Sequence, residues 1–94
     1  MNSRSNLAFE ALADPTRRAI LTFLADRGES PAGEIAAEVA TVSRTGVSSH
    51  LRILRAAGLV NERRAGRYRL YSVEPEAADT VVEFLKGLYR RALD

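Results

Sequence analysis

The apolar residues of this chain repeat with a helical period as far as Gly58 and with a period of two beyond it. Before Gly58, apolar side chains recur three or four positions apart, the spacing of one face of an α-helix. After it, residues 59–64 and 67–73 form two short alternating runs around Ala65-Gly66, which predicts a β-hairpin with positive φ at Gly66. A helical period returns after Pro75. We therefore predict a mainly α fold with a small β-hairpin.

Capping residues and glycines mark where the helices begin and end. A first helix is predicted over residues 7–13. Asp14-Pro15 is typical of an N-cap followed by proline at the first helical position, and it predicts a second helix over residues 15–26 that stops at Gly28. Ser30-Pro31 repeats this pattern before a third helix. The second helix is predicted to bury Ile20, Leu21, Phe23 and Leu24, and the third helix to bury Ile35, Ala36 and Val39.

A fourth helix is predicted over residues 44–57, with Ser43 as its N-cap and Gly58 as its end. Val47, Leu51 and Leu54 share its apolar face. The third helix, the break at residues 40–42 and this fourth helix have the spacing of a helix-turn-helix unit. With a last helix from Pro75 to about Leu93, the prediction is a winged helix-turn-helix domain of about five helices and a two-stranded wing.

Length and composition exclude several classes of protein. Ninety-four residues correspond to one domain, residues 1–94. The chain has no cysteine and one histidine, so it offers no disulfide, thiolate metal site, cysteine nucleophile or histidine pair. We therefore expect no catalytic residues, no metal and no cofactor. Its apolar runs are short and no signal peptide is visible, so we expect a cytoplasmic protein without a membrane partner.

Positive charge is concentrated in one third of the chain. Residues 43–73 contain seven arginines and a single acid, Glu62, for a net charge of +6, whereas the remainder has a net charge of −4. A basic segment in an otherwise acidic domain is typical of a polyanion-binding site. A solvated charged face is the alternative.

The outer face of the fourth helix is the candidate for contact with DNA bases. Thr45, Ser48, Ser49 and Arg52 lie about 100° to 200° around the helix from its apolar face. Short polar side chains allow a helix to lie deep in the major groove, and an arginine bonds guanine N7 and O6. The candidates for phosphate or wing contacts are His50 and six arginines: Arg44, Arg55, Arg63, Arg64, Arg67 and Arg69. A charged edge that keeps a hairpin soluble is the alternative for the wing arginines.

Other polar and aromatic residues have less specific patterns. Tyr68 and Tyr71 are interpreted as packing residues rather than base-stacking platforms. His50 lies at the flank of the apolar face, where a structural or phosphate-facing role is favoured over metal binding. The acids Glu76, Asp79 and Glu83 lack histidine or thiolate partners, which favours a solvated or interface face.

The two terminal helices are more apolar than a core of this size requires. The last helix is apolar over a wide arc, which predicts burial against a partner surface. The apolar residues of the first helix likewise predict burial against a partner surface. Completion of the monomer core is the alternative. The predicted dimer-interface residues are Leu7, Leu12, Phe84, Leu85 and Leu88.

Several short motifs are spread along nearly the whole chain: residues 11–18 (ALADPTRR), Ile20-Leu21, Glu34-Ile35-Ala36, residues 43–51 with Leu54, and residues 57–60 (AGLV). Together they resemble the ArsR-type winged helix-turn-helix repressors of bacteria, and Arg63, Gly66-Arg67 and Tyr71 resemble the wing of that family. It implies a homodimer joined through the first and last helices. It also implies binding to a pseudo-palindromic operator in or near the protein's own promoter.

The chain departs from the metal-sensing members of that family. Those members carry cysteines at the start of the third helix, or Asp and His ligands on paired last helices, and neither set is complete here. The chain therefore resembles the members that do not sense metals, and an unknown small-molecule or protein effector stays open. The alternative function is a winged-helix module that binds a protein rather than specific DNA.

Overall fold

The computed structural model describes residues 3–39 and 44–93, and the side chains of residues 6–39 and 46–93. Mainly helical structure with a small sheet is confirmed. The predicted break at residues 40–42 and the predicted N-cap Ser43 lie outside the described residues. In chain order the elements are α1 (Ser3–Leu12), α2 (Pro15–Arg27), β1 (Ser30–Pro31), α3 (Ala32–Glu38), α4 (Arg44–Ala56), β2 (Val60–Ala65), β3 (Tyr68–Val73) and α5 (Ala77–Leu93).

Helix α2 begins and ends as its capping residues predict. The Asp14 carboxylate accepts a hydrogen bond from the backbone N–H of Arg17 at 3.0 Å, and this bond lowers the pKa of Asp14. Pro15 occupies the first position, where its missing N–H leaves no bond unmade. Gly28, with φ of +83°, ends the helix and donates its N–H to the Leu24 carbonyl at 2.8 Å.

The Ser30-Pro31 pair does not cap α3, contrary to the prediction. These residues form β1, which pairs with β3 in the register Ser30 to Tyr71 and Pro31 to Leu70. The Ser30 hydroxyl donates to the Gly28 carbonyl at 2.9 Å instead of capping a helix N-terminus. The sheet order is β1-β3-β2, so Pro31 lies on an edge strand, where the missing N–H removes no ladder bond.

A Schellman motif joins α4 to the hairpin. Gly58 has φ of +76° and donates its N–H to the Arg55 carbonyl at 3.0 Å. Leu59 donates to the Leu54 carbonyl at 2.9 Å, and both leucines are buried. Because this pattern fixes the direction in which the chain leaves the helix, it also fixes where the hairpin lies relative to α4.

The turn of the hairpin lies one residue later than predicted. Ala65 pairs with Tyr68, so the two turn residues are Gly66 and Arg67 rather than Ala65 and Gly66. Gly66 has φ of +62°, as the turn requires and as predicted. The shift extends β2 by one residue and places Arg67 at the tip.

The core lies between α1, α2, α3, α4 and the base of the hairpin, with Ala8 and Ala11 of α1 buried in it. Its largest fully buried side chains are Ile20, Leu24, Ile35, Val47, Leu51 and Leu54. All six follow the predicted helical faces, which confirms those faces. Predicted core residues Leu21, Phe23 and Ala36 are only partly buried and pack against this cluster.

Helix α5 lies at the margin of this core, with Ala77 and Val81 packed against it. It begins at Ala77, two residues after Pro75, and none of its described residues is buried. The molecule measures 52 Å along its longest axis against 26 and 24 Å, and its radius of gyration is 14.6 Å. A compact domain of this length has a radius of about 12 Å. In the described part of the chain, no helix is long and apolar enough to cross a bilayer.

Candidate nucleic-acid interface

The outer face of α4 is polar and open to solvent. Ser48, Ser49 and Arg52 are exposed, opposite the buried residues of the same helix, as the periodicity predicts. Arg44 and Thr45 belong to the first turn of α4, and their side chains lie outside the described part of the structure. Arg52 has no hydrogen bond or ion pair to any described residue, so its guanidinium is free for a ligand.

A basic groove separates α4 from the hairpin. Its volume is about 460 Å³, and residues 31–33 form part of its lining. Helix α4 contributes Ser48, Arg52 and Arg55, and the hairpin contributes Arg67, Tyr68 and Arg69. Four arginines and one acid, Glu62, therefore line a concave surface beside the exposed face of α4. Such a concentration of positive charge attracts a polyanion.

Glu62 connects the two sides of the basic groove. One carboxylate oxygen lies 3.4 Å from Arg55 Nη1 on α4, and the other lies 3.6 Å from Arg69 Nη1 on β3. Burial raises the pKa of Tyr71, and a hydrogen bond to Glu62 raises it further. The Glu62 side chain is only 16% exposed, whereas both arginines are 59% exposed. Both arginines thus have a carboxylate partner within the chain.

The wing arginines fall into two groups. Arg63 makes a two-pronged bond with Glu29, with Nε and Nη2 each 2.7 Å from a carboxylate oxygen. This pair lowers the pKa of Glu29 and raises that of Arg63, and it ties the hairpin to the turn after α2. Arg64 and Arg67 are exposed and have no such partner among the described residues.

His50 is half-buried, and Arg17 on α2 holds it. Arg17 Nη1 lies 3.4 Å from His50 Nδ1, while Nε and Nη2 donate to the carbonyls of Ala11 and Glu10 at 2.8 and 3.0 Å. Sequence reasoning assigned Arg17 no role, because a single arginine in a helix carries no signal of the three groups it contacts.

The two hairpin tyrosines differ in their surroundings. Tyr71 packs against the core, which confirms its interpretation as a packing residue. For Tyr68 that interpretation is wrong, since it is 59% exposed and lines the basic groove. It lies next to the turn, beyond the reach of the core.

The apolar surface predicted for dimerisation lies on α1 and α5. Leu7, Phe84, Leu85 and Leu88 are 38% to 43% exposed, while Leu12 is half-buried against the core. Phe9 and Phe84 make an edge-to-face contact with ring centroids 5.3 Å apart, so the two helices form one continuous surface. Glu83 lies 4.0 Å from Lys86, and no group of three potential metal ligands is found among the described residues.

Comparison with known proteins places these features in a family. A helix-turn-helix domain family matches residues 12–63. The HTH-type transcriptional regulator Rv2034 of Mycobacterium tuberculosis is 43% identical over 86 residues, which are 92% of this chain and 78% of that protein. Several other curated relatives are named as repressors.

Solved structures share the whole architecture. The ArsR family transcriptional regulator RHA00566 has a TM-score of 0.86 and 30% identity, covering 97% of this chain and 92% of that one. The homodimeric winged helix-turn-helix DNA-binding domain of Mb0332 from Mycobacterium bovis has a TM-score of 0.74 and 27% identity, covering 97% and 82%. This chain belongs to the ArsR-type winged helix-turn-helix family and is a DNA-binding transcriptional regulator.

Proposed function

We propose that this protein is a homodimeric, cytoplasmic repressor that binds a pseudo-palindromic operator in its own or a neighbouring promoter and has no enzymatic activity. The observation that carries the proposal is the basic groove, in which the free guanidinium of Arg52 lies beside the exposed serines of α4. Occupation of a promoter excludes RNA polymerase, so repression needs no surface beyond these.

The exposed face of α4 enters the major groove in this proposal. Thr45, Ser48, Ser49 and Arg52 contact base edges, with Arg52 suited to guanine. Arg64 and Arg67 contact phosphates on the wing side, and His50, Arg44 and Arg55 contact phosphates beside α4. Arg55 and Arg69 reach phosphates only after release from Glu62, and Arg63 only after release from Glu29.

Dimerisation through α1 and α5 gives the operator its symmetry. The exposed leucines on α5 and the elongated shape of the single chain support a second copy on this face. A two-fold axis between protomers sets the two α4 helices about 34 Å apart, one turn of duplex, so the operator is an imperfect inverted repeat. The solved relative from Mycobacterium bovis is a homodimer, which supports the same assembly.

The test is fluorescence anisotropy with duplex DNA from the region upstream of the protein's own gene, beside a scrambled duplex of equal length. If each dimer neutralises eight to ten phosphates, the logarithm of the association constant falls with the logarithm of the salt concentration with a slope of roughly −7 to −9. We expect at least about a thousandfold preference for the upstream duplex. Steep binding without preference would contradict a nearby operator. Absence of binding at low salt would contradict the proposal and favour a module that binds a protein partner.

A promoter–reporter assay tests the direction of regulation. Expression of the protein beside a reporter fused to the upstream region should lower the reporter signal. Arg52→Ala should restore that signal, because it removes the predicted base contact without altering the core. An increase of the signal on expression would contradict repression while leaving DNA binding intact.

A further inference from the structure

Glu62 is the single acid of the basic segment, and its position is not that of a solvated surface charge. Its side chain is 16% exposed and lines the basic groove. It pairs with Arg55 from α4 and Arg69 from β3, and it lies directly opposite Tyr71 in the β2–β3 register. One carboxylate therefore contacts both the helix that faces the bases and the wing that faces the backbone.

The two arginines are placed for exchange between Glu62 and a phosphate. Both are 59% exposed, and their distances to the carboxylate, 3.4 and 3.6 Å, are longer than the 2.7 Å of the Arg63–Glu29 pair. Exposed ion pairs of this kind are weak, and long side chains reorient easily. The pairing of Glu62 with Tyr71 in the β2–β3 ladder holds the backbone of Glu62 independently of the two arginines.

While Arg55 and Arg69 stay on Glu62, the carboxylate offsets part of the positive charge that a phosphate in the basic groove would meet. The attraction of the groove for a duplex backbone is then weaker than its four arginines would give without the acid. We expect only a duplex that seats fully to bring phosphates to both sides of the groove and so to compete with Glu62 for the two arginines.

Building on the DNA-binding function proposed above, we propose that Glu62 is a positioning residue that holds Arg55 and Arg69 away from the phosphates of non-cognate duplexes. Release of the two arginines accompanies full insertion of α4 and the wing. Selectivity for the operator then depends on a residue that contacts no base.

The experiment compares Glu62→Gln with the unmutated protein on the upstream and scrambled duplexes across a salt series. Glutamine keeps the size of the side chain and an acceptor oxygen while removing the charge. We expect affinity for the scrambled duplex to rise about tenfold and affinity for the upstream duplex to rise less. Each arginine transferred to a phosphate steepens the log–log salt slope for the scrambled duplex by about 0.9. Four arginines in a dimer would steepen it by up to about 3.6.

Two control variants separate this role from net charge and from folding. Glu34→Gln removes one acid from α3, beside groove residue Gly33, and Glu34 has no partner among the described residues. It should leave the slope unchanged. The triple variant Glu62→Gln/Arg55→Gln/Arg69→Gln should lose the gain in slope, because the arginines that cause it are absent. Circular dichroism establishes that each variant is folded.

Equal effects of Glu62→Gln and Glu34→Gln would overturn the proposal, since both would then act through net charge. A loss of affinity for both duplexes with a lower melting temperature would also overturn it, because Glu62 would then be only structural. Equal binding of both duplexes by the unmutated protein would contradict the proposed operator function instead. The slope on the scrambled duplex would still decide whether Glu62 holds the arginines.

Discussion

Arg17 Nη1 on α2 lies 3.4 Å from His50 Nδ1 on α4, and this contact favours Nδ1 as the acceptor nitrogen of the ring. A guanidinium group only donates, so Nδ1 of the neutral ring accepts and Nε2 carries the proton. Nε2 is then a donor, the form that bonds a phosphate oxygen. The contact therefore favours the tautomer that the predicted phosphate contact of His50 requires.

Replacement of Arg17 by lysine should destabilise the fold. Lysine keeps the charge but has a single nitrogen, whereas Arg17 contacts the carbonyls of Ala11 and Glu10 and the His50 ring at the same time. Hydrogen bonds from charged donors contribute about 1.5 to 3 kcal/mol each, so we expect Arg17→Lys to lower the free energy of unfolding by about 2 kcal/mol. Urea denaturation measures it.

Arg18→Lys is the matched control. Arg18 is exposed and makes one side-chain bond, from Nη1 to the Leu12 carbonyl at 2.7 Å, which a lysine can replace. Its effect should be clearly smaller than that of Arg17→Lys. Equal losses for the two variants would show that the three-way contact of Arg17 adds no stability.

Arg52 and Arg67 should affect DNA binding in different ways. Arg52→Ala on α4 removes a predicted base contact, so selectivity for the upstream duplex should fall by about 1 to 3 kcal/mol. Arg67→Ala at the wing tip removes a predicted phosphate contact, so both duplexes should weaken alike and the salt slope should fall by about 1.8 per dimer. Anisotropy titrations with both duplexes measure both effects. The assignment fails if Arg67→Ala changes selectivity and Arg52→Ala does not.

The Glu29–Arg63 pair should make part of the stability depend on pH. The bond to Arg63 lowers the pKa of Glu29 below its ordinary value of 4.5. A lowered folded-state pKa contributes stability that is present above the unfolded value and lost as the pH falls through the folded one. The difference in unfolding free energy between the unmutated protein and Glu29→Gln should therefore shrink as the pH drops below 4.5.

Urea denaturation at a series of pH values measures that difference. Glu38→Gln is a useful comparison, because Glu38 pairs with Arg27 at the longer distance of 3.5 Å with both side chains more than half exposed. Its stability difference should be smaller throughout. A Glu29→Gln difference that stays constant into acid would contradict a contribution from the ionised pair.

Helices and hairpin were predictable from the sequence because each has a periodic or local signal. The cap at Asp14, the stop at Gly28 and the positive φ at Gly66 depend on the residue and its immediate neighbours. Strand β1 could not be predicted, since two residues carry no period and Ser-Pro is also a common helix start. Pairing with Tyr71 and Leu70, about forty positions away, decides its structure.

The arginines show the same limit within the candidate site. The charge of residues 43–73 was enough to predict a basic surface, and the helical period of α4 was enough to predict which of its side chains face outward. Whether an arginine is free depends on carboxylates that the fold brings near it. Glu29 meets Arg63 across 34 positions of sequence, which no local pattern indicates.

Leu85→Ala with Leu88→Ala should weaken dimerisation and, with it, operator affinity. Each leucine is about two fifths exposed in the single chain, and burying that remainder contributes about 1 kcal/mol. Two copies of each give about 4 kcal/mol, so the dimer dissociation constant should rise about a thousandfold. Sedimentation equilibrium measures it, with Tyr68→Ala as a control that removes an exposed aromatic ring from the wing instead. An unmutated protein that sediments as a monomer at micromolar concentration would disprove the dimer, and an equal effect of Tyr68→Ala would place the interface elsewhere.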